Sequence, residues 1–434
     1  MGTFSLIGIA LGVAVFVFLS FKGFNMFLNC IIASIVVAIT GQMDIFTAIT
    51  DTYMKAFSNY VSQYFLLFFI SALFGRIMDD CGAVRKVALS IASITKKSKN
   101  PKFWTLCLMP FFYAFLGYSG VNGFVCVFTI LAIGRELFTE CDIPWRLYPI
   151  GSAGMQPAII LGGSIYITNI MIANEFGTPL TAMMGLSIAC TAACILTIGA
   201  LIWWELRKFD KRGEGFLPSG EAIRNMQLQT VRSADELPNI FCSAIPLISP
   251  VAIILIFKLS PINGLLLGSI IGIVMNYKYL ASMRGTINNG LISAGTPIIN
   301  TCGAVGFAAI IRAAPGFQLL IGGLSNLPGV FSGLSLVMIM CAVVGSSSTF
   351  LPATLPIVIE KFTAVGISAE LGHRLTTLGI TSYMTPHNSG PVNAITLCKL
   401  NIREVAWLYF KMTFIPGTAA LLVALAAYGM GIVH

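Results

Sequence analysis

The chain has 434 residues, of which 56% are apolar and only 10% charged, with a mean hydropathy of +0.87. A soluble core of this length cannot hide so many apolar side chains, so lipid must cover much of the surface. The net charge of +9 comes from 26 Lys+Arg against 17 Asp+Glu; the bases sit in short loops between apolar runs, which is the positive-inside pattern of a membrane protein and excludes nucleic-acid binding as their explanation.

In chain order, the N-terminal stretch MGTFSLIGIALGVAVFVFLSFKGF lacks a basic n-region and a small-residue cleavage site, so it reads as a first span rather than a signal peptide. Further apolar runs fall near 24–40, 60–78, 103–117, 121–134, 147–174 and 179–204. After a polar stretch at 205–239 they resume near 240–258, 262–276, 290–314, 329–345, 349–364, 374–398 and 405–431. At about 20 residues per span these predict about ten spanning helices plus shorter elements. The stretch 205–239 divides the chain into residues 1–204 and 240–434 and reads as a linker.

Segment 85–102 carries Arg85, Lys86, Lys96, Lys97, Lys99 and Lys102, and the linker carries Arg207, Lys208, Lys211, Arg212, Arg224 and Arg232. Both are expected to be cytoplasmic loops, which by parity places both termini outside. The runs 103–117 and 121–134 are short and separated by GYSGVNG, and 329–345 and 349–364 by GSSST. Glycine and serine there break the helix without a polar loop, so 103–134 and 329–364 are expected to be re-entrant hairpins. Segments 147–174 and 374–398 read as broken spans.

The halves match at a fixed offset. Gly117 and Gly345, Arg146 and Arg374, Leu147 and Leu375, and Gly151 and Gly379 are each 228 positions apart. With opposite starting sides, the expected fold is an all-α polytopic membrane protein of two inverted repeats, each with about five spans and one hairpin. That architecture points to a secondary transporter with its site at the midplane.

Four polar, Gly-rich breaks are the candidate site: 117–123, 151–157, 345–349 and 385–391. Broken helices present unpaired N–H groups and positive dipole ends that suit a carboxylate. The expected substrate ligands are Ser119, Asn122, Gly123, Gly154, Gln156, Ser346, Ser347, Ser348, Thr349, His387, Asn388 and Ser389. The competing reading is that Gly and Ser only allow close helix packing. His387 is the one group in the breaks that titrates near neutrality, which makes it the candidate proton carrier. Glu360, read as deep in a hairpin arm, is a secondary one. His373 and Arg374, at the opening of a span, read as interface anchors. The eleven cysteines form no CxxC pair or Cys/His cluster and read as small buried hydrophobes; no metal or cofactor is expected. No GxxxxGK[ST], HExxH or GxSxG occurs, which argues against an ATP-driven pump and against a membrane hydrolase.

Three stretches resemble the gluconate permease (GntP) family of proton symporters: ALFGRIMDDCGAVRKVA, GSSSTFLPATLPIV and TPHNSGPVNAITLCKLNIREV. The last is similar to the hydroxybutyrate permease branch. The resemblance implies a carrier for a small hydroxylated or short-chain monocarboxylate, proton-coupled, in a bacterial cytoplasmic membrane. It also implies an elevator-type arrangement and a homodimer, with lipid, the organic acid and the coupling ion as partners. The chain departs from the sugar-acid branch at GSAGMQPAIILGGS, which has no histidine, and at FFYAFLGYSGVNG, which has no acid; both point away from gluconate itself. Sodium coupling or carboxylate exchange is the nearest alternative, and an anion channel a more distant one.

Overall fold

A computed structural model describes residues 2–22, 24–118, 120, 123–227, 236–257, 259–325, 327, 329–344, 347–381, 391, 394–395 and 397–433. All its regular elements are helical. The first half contains α1 (Gly2–Phe21), α2 (Met26–Thr40) and α3 (Met54–Asp80), which is entered through a π-helical turn, Ala48–Tyr53. Then come α4 (Ala83–Thr95), α5 (Pro101–Tyr118), α6 (Gly123–Glu140), a 3-10 segment (Trp145–Gly154) that runs into α7 (Met155–Ile160), α8 (Ile167–Phe176) and α9 (Met184–Lys211). A short helix, Glu221–Gln227, lies between the halves. The second half contains α10 (Ile240–Phe257), α11 (Pro261–Asn276), α12 (Met283–Ala313), α13 (Pro315–Ser325), α14 (Val330–Val344), α15 (Ser347–Ala364), α16 (Ala369–Thr381) and α17 (Ile402–Gly429).

The helix starts follow from local sequence. Asn25, Asp44, Ser260, Ser282 and Asn401 each accept a hydrogen bond from a backbone N–H two or three residues on, which satisfies a donor that a helix start would otherwise leave orphaned. Pro261 follows its Ser260 cap at the first helical position, where its missing N–H costs nothing.

Three helices, Gly2–Phe21, Met184–Lys211 and Arg403–Gly429, are each long and apolar enough to cross a bilayer. Ile298–Ala313 and Pro315–Leu324, bent by 78°, pass that test as a pair. Other apolar helices are shorter; fifteen-residue α2 reaches about 22 Å, against a hydrocarbon core of about 30 Å.

Packing divides the helices into two groups. In one, α1 pairs with α2 and α10 with α11, while α12 packs on α2 and α3, and α11 on α3. The α3–α12 seam carries its own apolar cluster, Tyr60, Tyr64 and Phe68 against Ile298, Cys302 and Val305. In the other group, α5 pairs with α6 and α14 with α15, α9 runs along α17, and α16 contacts α7, α8, α14 and α17. The short helices α4 and α13 touch both groups: α4 lies against α10 and α6, and α13 against α1 and α14. The order long helix, short helix, helix pair, interrupted segment, long helix thus occurs twice.

Two expectations change. Segment 85–102 is not a loop throughout, because Ala83–Thr95 is helical and takes in Arg85 and Lys86, while Ala83 and Val84 are buried. Helix α9 continues to Lys211, into the stretch read as linker, because Glu205 is buried and ion-paired to Lys208 and to Lys411 of α17. The eleven cysteines are free thiols, and all but Cys107 and Cys242 are buried.

Candidate functional site

The first helix pair turns at Gly120, whose φ of +81° suits glycine. A Cβ there would also come within 3.0 Å of the Ile165 carbonyl oxygen. The tip is tied to the stretch after α7: Ile165 N–H donates to the Tyr118 carbonyl (3.2 Å), and the Tyr118 hydroxyl donates to the Gly162 carbonyl (3.1 Å). Gly123 opens toward the Tyr166 hydroxyl, 3.7 Å from where its Cβ would stand. Ser119 and Asn122 lie outside the described residues.

The interruption in the first half lies elsewhere than the sequence suggests. Gly151–Pro157 is helical, 3-10 passing into α, and the chain leaves the helix over residues 161–166 instead. The signal for this was the Gly162-Gly163 pair, a strong helix punctuator. Gly154 accordingly serves packing: a Cβ there would overlap the Pro110 carbonyl group, backbone that cannot move aside cheaply. Gln156 is buried, and its amide donates to the Thr381 carbonyl (2.9 Å) and to the Thr413 carbonyl, while its oxygen accepts from Cys194 Sγ (3.6 Å).

Thr381 is the last described residue of α16, and its carbonyl is reached by a side chain from the first half. Cys341 Sγ donates to the preceding carbonyl, Ile380 (3.3 Å), and the Thr381 hydroxyl to Leu378 (2.9 Å). The end of α16 is therefore held inside the protein by side chains of α7 and α14. The break that follows, with His387, Asn388 and Ser389, lies outside the described residues, as does Ser346. Ser347 opens α15 and is half-buried; Ser348 and Thr349 follow it in the first turn. Glu360 is not deep in the arm: it is exposed near the C-terminal end of α15, beside Lys361.

His373 and Arg374 are not interface anchors either. Both are buried in α16. His373 Nε2 lies 2.9 Å from Asn169 Oδ1 and Nδ1 lies 2.7 Å from Thr178 Oγ1. Because Asn169 Nδ2 donates to the Ser164 carbonyl (2.6 Å), its oxygen faces the ring, which makes Nε2 the donor to Asn169 and leaves Nδ1 to share a hydrogen bond with the Thr178 hydroxyl. Arg374 Nε and an η nitrogen donate to the carbonyls of Ala182 (2.7 Å) and Leu180 (2.5 Å). Its other η nitrogen is buried without a partner, and no carboxylate forms an ion pair with it among the described residues. The interior thus holds a guanidinium charge, the first half's interrupted segment and a hydrogen-bonded histidine, but no metal-binding cluster among the described residues.

These features define a multi-pass, all-helical membrane transporter. Residues 4–265 match the model of the GntP family permease, and the chain belongs to that family, one of transporters and not of enzymes. It is 25% identical over 476 residues to the "Uncharacterized transporter YxjC" of Bacillus subtilis (strain 168), covering 98% of this chain and 99% of that one. Among solved structures, the chain is similar to MtrF of Neisseria gonorrhoeae, whose report describes a class of antimetabolite efflux pumps. Identity there is 13%, coverage 90% of this chain and 85% of that one, and the TM-score 0.41. The YdaH transporter of Alcanivorax borkumensis matches at 13% identity, with 88% of each chain covered and a TM-score of 0.39.

Proposed function

We propose that the protein is a secondary active transporter that carries a small organic monocarboxylate together with a proton. The observation that carries this reading is Gln156: from the first half it holds the Thr381 carbonyl of α16, just before the break that the sequence places at 385–391. In this reading the first half's interrupted segment and the second half's break face one interior region, the arrangement in which helix ends bind a substrate without lipid access. Arg374, buried and without an ion pair among the described residues, adds fixed positive charge on the same helix, which favours an anion.

In this reading the carboxylate is held by Ser119, Asn122, Gly123 and Ser346–Thr349 from the two tips, and by His387, Asn388 and Ser389 from the break. Gly154 and Gln156 shape the site from behind. His387 takes the coupling proton, and exposed Glu360 does not. The repeated element order supports two inverted repeats. The two packing groups, joined by α4 and α13 and in direct contact where α3 meets α6, support an elevator-type motion of one group against the other, within a homodimer in the cytoplasmic membrane.

Uptake into proteoliposomes under a pH-only and a sodium-only gradient tests the reading. Saturable accumulation of a short hydroxy acid driven by the pH gradient is expected. Accumulation with sodium alone would replace the proton by Na⁺, and non-saturable flux would mean a channel.

A further inference from the structure

Outside the interior site, the surface between α4 and α5 is unusual. A groove of about 580 Å³ runs between them, lined by Ile91 and Ile94 of α4 and by Trp104, Cys107 and Phe111 of α5. Ile94, Trp104 and Phe111 are each more than half exposed, so the groove faces the lipid phase rather than the protein core. A second groove of about 310 Å³ shares Phe111 and continues past Phe115 and Leu116 to Leu247 of α10. Together they make one apolar track along α5 from Trp104 to Leu116, about 18 Å at the helical rise per residue. That is close to one leaflet of a hydrocarbon core about 30 Å thick.

Only one end of the track is polar. Thr95 and Ser98 close it, in the turn that carries Lys96, Lys97 and Lys99. Lys96 is paired with Glu140 (2.8 Å) and, further on, Lys102 with Asp210 (3.9 Å). Lys97 and Lys99 are exposed and make no ion pair among the described residues; the Ser98 hydroxyl between them is buried and has no hydrogen-bond partner among the described residues. An apolar slot of leaflet length that ends in two exposed ammonium groups has the charge and shape of an anionic lipid's counterpart.

We propose that this track binds one anionic phospholipid, with an acyl chain along α4 and α5 and the phosphate held by Lys97 and Lys99. The lipid then fills the space between α4, the α5–α6 pair and α10, where the two packing groups meet. A basic cluster beside an apolar slot at the membrane surface is a recurrent means of selecting anionic headgroups.

The test uses the full chain in nanodiscs, with phosphatidylcholine as the background lipid. Brominated-chain phosphatidylglycerol or brominated-chain phosphatidylcholine is titrated in, and the quenching due to Trp104 is taken as the difference between the wild type and Trp104→Phe. Half-maximal quenching is expected at a mole fraction at least about fivefold lower for phosphatidylglycerol, since one basic group near an anionic headgroup contributes about that factor at low salt. The preference should vanish in a Lys97→Gln/Lys99→Gln double variant, which changes only exposed side chains. Equal quenching by both lipids would mean unselective lipid contact, and quenching by neither would mean that protein covers the track; either overturns the proposal. So would loss of the preference on adding millimolar inorganic phosphate, which would mean that the lysines take a soluble anion.

Discussion

His373 of the second half donates to Asn169 of the first half across 2.9 Å, and the position 228 residues earlier, Trp145, makes the reciprocal reach. Its indole Nε1 donates to the Cys398 carbonyl of the second half at 2.9 Å. Each residue lies before its own half's break, and each bonds to the stretch that follows the other half's break. Both are fully buried, so both bonds form away from water, where a missing partner is costly. The halves are thus locked at two equivalent points, and the interrupted segments between those points are positioned by both.

Replacing His373 by Ala should therefore act on stability. It leaves Asn169 Oδ1 without its donor and opens a cavity, a loss of about 1–3 kcal/mol from the unsatisfied group alone. The apparent unfolding temperature in detergent should fall, while His373→Gln, which can donate in place of Nε2–H, should recover part of it. An unchanged unfolding temperature for the alanine variant would show that the cross-link carries no stability.

Gly154 separates packing from binding. An alanine Cβ would overlap the Pro110 backbone, and overpacking of a tight interior contact costs about 1–3 kcal/mol or more. Gly154→Ala should lose folded yield and monodispersity. Gly185→Ala, in α9 with nothing within 4 Å of the added methyl, should behave as wild type. If Gly154→Ala keeps wild-type thermal stability and loses only transport, the residue belongs to the substrate site and the steric account fails.

The sequence reveals the helices and the broken elements because apolar runs and Gly/Ser punctuation are local signals. It conceals whatever depends on a distant partner. Gln156 reads as one more polar residue in a break, yet the carbonyls it holds lie 225 and 257 residues away. His373 and Arg374 look like charges at a span end, and only the carbonyls and side chains of residues 169–182 make them interior groups. Helix α4 hides for a different reason: Arg85, Lys86 and the lysines that follow the helix mimic a loop, whereas Ala83 and Val84 are buried in the bundle. Gly151–Pro157 misleads in the opposite sense, since its glycines permit close approach to α5 without breaking the helix.

Gln156 can be tested through charge. Gln156→Leu removes the donor to two carbonyls and should destabilise the protein at all pH values, by about 1–3 kcal/mol per group left unsatisfied. Gln156→Glu adds a carboxylate facing two carbonyl oxygens, which repel its charged form and raise its pKa. The neutral acid can donate to one of them. The folded-state pKa of the introduced carboxyl would then exceed its unfolded value, so the stability lost at neutral pH should return as pH falls through the raised value. Thermal unfolding of both variants between pH 5 and 8 reads this out. A glutamate variant that is insensitive to pH would mean that residue 156 does not face the end of α16.

The proton role of His387 can be separated from a binding role by accumulation measured against a known driving force. For an electroneutral symport of one proton with one monocarboxylate, a pH gradient of one unit supports at most about tenfold accumulation, because a tenfold ratio corresponds to about 1.4 kcal/mol. Wild-type proteoliposomes with an acidic exterior should approach that ratio, corrected for protein-free liposomes, through which the neutral acid diffuses unaided. His387→Ala removes both titration and hydrogen bonding and should abolish transport. His387→Gln keeps a donor and an acceptor but has no group that titrates near neutrality. No acidic residue lies in any of the four breaks read from the sequence, so no other side chain there can take the proton. The glutamine variant should therefore still exchange internal for external substrate, but its net accumulation should fall to about the ratio expected without coupling. If it accumulates to the wild-type ratio, the substrate's own carboxyl carries the proton, and His387 is left with hydrogen bonding alone.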